Sequence, residues 1–282
     1  MDLLKAIASD TASRGKHAFG YAWIDPYGAL RHYKQRGNIR EHLGLLEMLA
    51  HARMIVGHCR YATHGDPREN INNHPFICDG GFVVHNGVIY NAEELVRDQD
   101  LWPISECDSE VLVLLYEAMG RHGGIAKRMG RSIDMLSAGP LAAMGLWNTR
   151  RGNRLAVARR GHPLHRGDIE SGVYFASLEA ALPGKVVSMA DNRVSVFRQK
   201  LKSKEVIRSE KYSVQGNPAR SSQIRGGLYE DDPGTSRRGR SGGGQTGNGK
   251  DGSNPVGAST ILGRHDRQGY TVEPIQRGLQ WD

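Results

Sequence analysis

Apolar runs of strand and helix length recur along residues 1–199 of this 282-residue chain and then stop. Between about Ser213 and Ser259 the chain is instead rich in Gly, Ser and Arg. Such a segment buries too little apolar surface to offset its chain entropy. We therefore predict one folded domain over residues 1–199 and a flexible Gly/Ser/Arg-rich tail over residues 200–282.

The composition excludes several classes of protein. No apolar run approaches the ~18 residues that span a bilayer, so we expect no membrane association. The three cysteines (Cys59, Cys78 and Cys107) form no Cys-x-x-Cys pattern, which argues against a disulfide scaffold and a structural zinc site. We predict a cytoplasmic protein that needs no metal or cofactor. The formal charge is +8, and the densest basic cluster, residues 237–240, indicates a solvated linker. Nucleic-acid contact through this basic tail is the alternative.

The periodicity within residues 1–199 predicts α+β layers. Helices are expected at Leu3–Ser13, Glu41–Leu49, Ser109–Met119 and Ile125–Leu136. Strands in meanders surround them, including the continuous apolar run Phe82–His85. Because the helices are grouped rather than alternating with single strands, βαβ repeats are not expected.

A first polar cluster follows the strand that ends near Arg60. Thr63 and His64 follow Arg60 within four residues, so a guanidinium, a hydroxyl and an imidazole lie close together. This combination suits capture of a small carboxylate, because a guanidinium can bind both carboxylate oxygens. The alternative is a strand-terminal arginine in an ordinary ion pair.

Two further clusters supply donors and a carboxylate. Asn86 and Gly87 follow a buried strand, where a side-chain amide and a backbone N–H can converge on an oxyanion and contribute ~2.7–4 kcal/mol each. A tight Asn-Gly hairpin turn is the alternative. Asp108 lies at the head of a predicted helix, whose N-terminus favours its charge, and it could receive an ammonium group. It could equally be a helix cap only.

Taken together, the three clusters are far more specific than any one of them. With Asn73-His74-Pro75 and Ala156–Leu164, they occur in the order and with the spacing of the class II glutamine amidotransferase domain, which residues 1–199 resemble. The resemblance implies the N-terminal-nucleophile hydrolase fold. That fold is a four-layer αββα sandwich in which two stacked antiparallel sheets lie between helical layers.

The resemblance also implies a role for each matched residue. Arg60 would hold the α-carboxylate of glutamine, supported by Thr63 and His64, and Asp108 would receive the α-ammonium. Asn86 and Gly87 would form the oxyanion hole. The domain would hydrolyse glutamine to glutamate and ammonia, and we expect the ammonia-accepting synthetase to be a separate subunit. The alternative is an inactive module of the same fold that binds glutamine or a partner and uses the basic tail as a tether.

The sequence departs from this family at the nucleophile. The family uses a cysteine at the mature N-terminus, carried on a first strand that precedes the first helix. This sequence begins Met1-Asp2 and enters the predicted helix at once. The match gives none of the three cysteines the nucleophile's position. We interpret the sequence as one recorded from an internal methionine, with an inactive relative of the family as the alternative.

Overall fold

The computed structural model describes residues 1–120, 123–199 and 206–215. The α-helices there are α1 (Asp2–Thr11), α2 (Ala92–Asp98), α3 (Ser109–Ala118) and α4 (Ile125–Met135). Short 3₁₀ helices cover Ala12–Arg14, Ile39–Leu49, Asn70–Asn72 and Glu179–Ala181. The strands are β1 (Ala18–Ile24), β2 (Leu30–Arg36), β3 (Met54–Arg60), β4 (Phe76–Cys78), β5 (Gly81–Gly87), β6 (Leu141–Thr149), β7 (Gly152–Arg160), β8 (His165–Ile169), β9 (Gly172–Ala176), β10 (Lys185–Ser188), β11 (Arg193–Gln199) and β12 (Val206–Ser213).

The strands form one large and two small antiparallel sheets. The large sheet has six strands in the order β12-β11-β7-β6-β5-β4. The small sheets have three strands each, in the orders β2-β1-β3 and β10-β8-β9. In the described residues, β3 and β9 are therefore edge strands, each with one neighbour.

The layers pack as the αββα sandwich predicts. One face of the six-stranded sheet packs on α3 and α4, with Leu115 and Ile133 fully buried between them. Its other face packs on both small sheets, where Val56 meets Phe82 and Phe175 meets Phe197. Helix α1 covers the small sheets from outside and packs against the cores of both. The predicted fold class is thus confirmed, with the outer sheet layer divided in two.

Most predicted elements are present, and the differences have local causes. The helix expected at Glu41–Leu49 is a 3₁₀ helix, Ile39–Leu49, interrupted by non-helical backbone at His42. Helix α2 and strand β4 were not predicted, because seven and three residues are too few for a clear periodic pattern.

The predicted domain boundary at residue 199 needs correction, because β12 continues the large sheet beyond it. Tyr212 donates a hydrogen bond to Asp134 of α4 at 2.8 Å, and Glu210 accepts one from the backbone N–H of Ala126 at 3.0 Å. Only Val206, Ile207 and Tyr212 are apolar among the eight residues of β12, so its sequence resembles the polar tail. The rest of the predicted tail, residues 216–282, lies outside the described residues.

Removal of β12 is expected to destabilise the domain. A chain ending after residue 205 loses both of these hydrogen bonds and the one from the backbone N–H of Gln215 to Asp134. At ~1 kcal/mol each they contribute about 3 kcal/mol, or a fall of roughly 6–12 °C in melting temperature. A chain ending after Gln215 is the matched control and should melt like the full chain. Equal melting temperatures for the two truncations would contradict the structural role of β12.

Candidate active site

The three predicted clusters meet at one end of the stacked sheets. Strand β3 ends at Arg60, β5 ends at Gly87, and α3 begins directly after Asp108. The backbone N–H of Ile89 donates to Oδ2 of Asp108 at 2.6 Å, which joins the β5 end to the α3 start. Burial raises the pKa of the Cys107 thiol, and the charge of Arg60 lies near enough to oppose that rise. The end of β3 therefore belongs to the same site.

Arg60 is buried and has no carboxylate partner among the described residues. Its side chain is 3% exposed. Its guanidinium donates to Oδ1 of Asn73 at 2.7 Å and to the backbone carbonyls of His64 and Gly65. The ordinary ion pair considered from the sequence is thus not formed. Buried charges are normally paired, so an anionic ligand is the partner that this environment lacks.

Thr63 and His64 are exposed on the turn after Arg60. Their side chains contact each other, with 3.3 Å between Oγ1 of Thr63 and Nδ1 of His64. Only the backbone carbonyl of His64 reaches the Arg60 guanidinium. Support of a bound carboxylate by these two side chains stays a prediction. That Asn73 orients Arg60 could not be predicted from the sequence alone.

Asn86 and Gly87 end a strand and form no hairpin turn. Gly87 pairs with Leu141, more than fifty residues away, so the hairpin interpretation is wrong. Gly87 has a φ of +146°, and a Cβ there would lie 2.8 Å from the carbonyl oxygen of Pro140. Asn86 is half-buried, and its side-chain amide has no hydrogen-bond partner within the described residues. That amide is free to donate to a ligand.

Asp108 occupies the N-cap position of α3, but its side chain does not cap the helix. Oδ2 accepts the hydrogen bond from Ile89, while Oδ1 has only distant neighbours, Oγ of Ser109 at 3.5 Å and Sγ of Cys107 at 3.7 Å. The carboxylate is 7% exposed. One of its oxygens is therefore available to a cationic ligand.

A cavity of about 440 Å³ leads into this site. Both edge strands, β3 and β9, contribute to its wall. Helix α1 lines it from the outer layer, and Val84, Asn86 and Ala142–Met144 line it from the six-stranded sheet. The cavity therefore has the position of a strand between two strand edges, and it extends to Asn86.

Several curated proteins are similar to this chain, although no protein-family model matches it. Glutamine–fructose-6-phosphate aminotransferase of Yersinia pseudotuberculosis is 30% identical over 199 residues, which cover 65% of this chain and 32% of that protein. The Campylobacter jejuni enzyme of the same name is 34% identical over 133 residues, covering 46% and 22%. The chain thus spans about a third of the length of the first of these relatives.

Solved structures agree with the sequence comparison. Glutamine phosphoribosylpyrophosphate amidotransferase from B. subtilis is 21% identical and superposes with a TM-score of 0.57, covering 73% of this chain and 46% of that one. A second structure, described as the allosteric regulatory enzyme of purine biosynthesis, gives a TM-score of 0.58 at the same identity. Both share the fold. The chain carries a class II glutamine amidotransferase domain.

None of the amidotransferase domain's own cysteines is an activated nucleophile. Burial raises the pKa of Cys59 to about 12, and it raises the pKa of Cys78 and Cys107 as well. A thiol with a raised pKa stays protonated at neutral pH, whereas the thiolate is the reactive form. These environments are therefore those of ordinary, unreactive thiols.

Three histidines lie beside the site: His74 and His85 are buried, and His58 is half-buried. The rings of His58 and His74 lie 4.1 Å apart between centroids, and His85 contacts Oγ of Ser109 through Nδ1 at 2.9 Å. Burial lowers the pKa of His58 to about 3 and that of His85 to about 4, and it lowers the pKa of His74 strongly. No group of three metal-ligating side chains occurs in the part of the chain that the structure describes. These histidines are therefore neutral in the folded domain.

The buried histidines predict a loss of stability in mild acid. Each has a folded pKa below the unfolded value of about 6.5, so stability is fully present above pH ~6.5 and falls towards pH ~4. Each histidine that protonates only on unfolding adds up to ~1.4 kcal/mol per pH unit. Urea titrations from pH 7 to pH 4.5 measure this slope. His58→Gln should reduce it, whereas His51→Gln, on an exposed turn, should not. An unchanged slope in His58→Gln would contradict a neutral His58.

No helix in residues 1–120, 123–199 and 206–215 combines the length and apolarity that spanning a membrane requires.

Two residues that position other site residues could not be identified from the sequence. Asn73 positions Arg60, and Ile89 positions Asp108. Ile89 acts through its backbone N–H, so its side-chain identity gives no signal of this role.

Proposed function

We propose that the domain hydrolyses glutamine to glutamate and ammonia with a thiol carried on a strand in the cavity between β3 and β9. One observation supports this most: a buried cation and a buried anion lie beside the strand end whose free amide donor lines that cavity. They are Arg60, Asp108 and Asn86. A guanidinium and a carboxylate can bind the two charged groups of an amino acid, and an amide donor can stabilise an oxyanion.

The charges match the two ends of glutamine. The α-carboxylate would pair with Arg60, whose described partners are all neutral. The α-ammonium would donate to Oδ1 of Asp108, the oxygen that Ile89 leaves free. The side-chain carbonyl would then point to Asn86 and Gly87.

The proposed reaction proceeds through a thioester. The thiolate sulfur attacks the side-chain amide carbon, and the carbonyl electron pair moves to the oxygen, where Asn86 and Gly87 donate hydrogen bonds. The C–N bond then breaks, and the nitrogen takes a proton and leaves as ammonia. Water attacks the thioester, releasing glutamate and returning the proton to the thiol.

The position and lining of the cavity favour an apolar strand as the segment that carries the thiol. A strand between β3 and β9 would receive backbone hydrogen bonds from both edges and join the two small sheets into one. It would face α1 on one side and the six-stranded sheet on the other, so both its faces would be apolar. One end would lie beside Asn86. We call a chain extended before Met1 by about a dozen such residues the strand-completed chain, and it begins with Cys unless Ser is stated.

The ammonia acceptor is proposed to be a separate subunit. Amidotransferases of this class pass ammonia to an acceptor domain or subunit. The first matched relative is about three times as long as the matched region, and its name states transfer to fructose 6-phosphate. An inactive glutamine-binding module is the second candidate, favoured by the raised pKa of all three cysteines in the 282-residue chain.

Glutamine binding tests the proposed clamp without turnover. In a strand-completed chain that begins with Ser, Arg60→Lys should weaken glutamine binding about 10- to 150-fold in calorimetry, because charged hydrogen bonds contribute ~1.5–3 kcal/mol. The control is Arg68→Lys, whose arginine is exposed and pairs with Asp66. It should bind like the unsubstituted protein. Equal affinities for the Arg60→Lys and Arg68→Lys variants would contradict the clamp.

A further inference from the structure

We propose that Arg160 and Asn91 are positioning residues that fix the backbone behind the oxyanion hole. Both hold the segment 135–140, which starts at the last residue of α4 and lies against Gly87. The inference rests on the proposed function of Gly87. It assigns a role to two side chains that touch neither the cavity nor the proposed ligand contacts.

Arg160 uses all three guanidinium nitrogens on this segment and on the last turn of α4. Nε donates to the carbonyl of Gly139 at 2.8 Å, Nη2 to that of Ser137 at 2.8 Å, and Nη1 to that of Ile133 at 3.2 Å. These carbonyls lie at and just beyond the C-terminal end of α4, where helix carbonyls lack intrahelical partners and a cation is favoured. A residue with one donor could not replace this three-point contact.

Asn91 holds the same segment from the other side. Its Oδ1 accepts from the backbone N–H of Ser137 at 2.8 Å, and its Nδ2 donates to the carbonyl of Met135 at 3.1 Å. Asn91 is buried and precedes α2, yet its side chain does not cap that helix. Its hydrogen-bonding capacity is directed to the 135–140 segment instead.

The clamped segment sets the position of the oxyanion-hole backbone. The Pro140 carbonyl leaves no room for a Cβ on Gly87, and Leu141 pairs directly with Gly87. Gly139 lies against Tyr90, because a Cβ placed on Gly139 would be 3.3 Å from the Tyr90 ring. A shift of residues 137–140 would therefore displace the backbone of residues 87–90. Small displacements of this kind can cost up to ~10²-fold in rate.

Arg159 provides a matched control on the same strand. It also makes two hydrogen bonds to backbone carbonyls, those of His162 at 3.0 Å and Met189 at 2.6 Å. None of its described hydrogen bonds reaches residues 133–140. Arg159→Met and Arg160→Met thus remove similar numbers of bonds, but only Arg160→Met releases the proposed clamp.

The test combines a backbone signal with kinetics. In the full 282-residue chain, Arg160→Met should shift the ¹H–¹⁵N resonance of Gly87 and speed its amide exchange at least tenfold, and Arg159→Met should leave both unchanged. In the strand-completed chain, Arg160→Met should lower kcat at least tenfold with KM within threefold. Asn91→Asp keeps the acceptor and loses the donor. It should likewise speed amide exchange at Gly87 and lower kcat.

The outcomes separate this proposal from the proposed function. An unshifted Gly87 resonance in Arg160→Met and Asn91→Asp overturns the clamp, whatever the activity. If Arg160→Met does not fold, Arg160→Lys and Asn91→Asp decide by the same signals. A shifted Gly87 resonance with equal kcat losses for Arg159→Met and Arg160→Met also overturns it, since the effect would then be general destabilisation. Inactivity of the unsubstituted strand-completed chain contradicts the proposed function, while the Gly87 resonance still tests the clamp.

Discussion

Asn86→Ala is expected to lower kcat of the strand-completed chain by ~10²–10³ while KM changes by less than about threefold. The side-chain amide of Asn86 has no hydrogen-bond partner among the described residues and lies at the cavity wall. Its proposed role is to donate a hydrogen bond to the glutamine carbonyl oxygen that becomes negatively charged in the tetrahedral intermediate. The uncharged amide carbonyl of bound glutamine needs this donor less, which is why binding changes little.

The measurement is glutamate release at several glutamine concentrations. Asn153→Ala is a suitable control, because Asn153 lies in the β6–β7 hairpin at the end of β6 opposite to Leu141, the residue that pairs with Gly87. It should leave both kinetic constants unchanged. A rise in KM with an unchanged kcat would show that Asn86 contributes to ground-state binding only, and it would remove Asn86 from the oxyanion hole.

The position of the site could be predicted because its residues follow the ends of regular elements. Arg60 ends a strand, Asn86 and Gly87 end another, and Asp108 precedes a helix, so periodicity alone placed each at an end. That the three ends meet follows from stacking of the sheets. Stacking was implied by the family resemblance and not by any single pattern, and it is confirmed by the packing of the two small sheets on the six-stranded one.

What the sequence could not predict depends on contacts between distant residues. Asp108 is at the predicted cap position, but its side chain turns to the backbone of Ile89. Tyr212 holds its strand in the large sheet because its hydroxyl donates a hydrogen bond to Asp134, although its neighbours in sequence resemble a polar tail. The carbonyls that Arg160 binds belong to a segment some twenty residues away. Such pairings are tertiary, and residue type at one position does not specify them.

A strand placed between β3 and β9 is expected to have a larger effect than any substitution. Edges β3 and β9 border one cavity, so an inserted apolar strand should add backbone hydrogen bonds on both sides and bury the cavity wall. We expect the strand-completed chain to melt at a higher temperature than the 282-residue chain, whether it begins with Cys or Ser. A polar strand of equal length is the control and should give no increase. Equal melting temperatures for the 282-residue and strand-completed chains would show that the cavity does not accept a strand.

The most direct test of the central claim is ammonia and glutamate release from glutamine by three proteins. They are the 282-residue chain, the strand-completed chain beginning with Cys, and the same chain beginning with Ser. Only the Cys protein should turn over glutamine, at the ~1 s⁻¹ or more that is usual for enzymes, with one ammonia for each glutamate. Comparable turnover by the 282-residue chain or the Ser protein, or no turnover by a folded Cys protein that binds glutamine, would contradict the account.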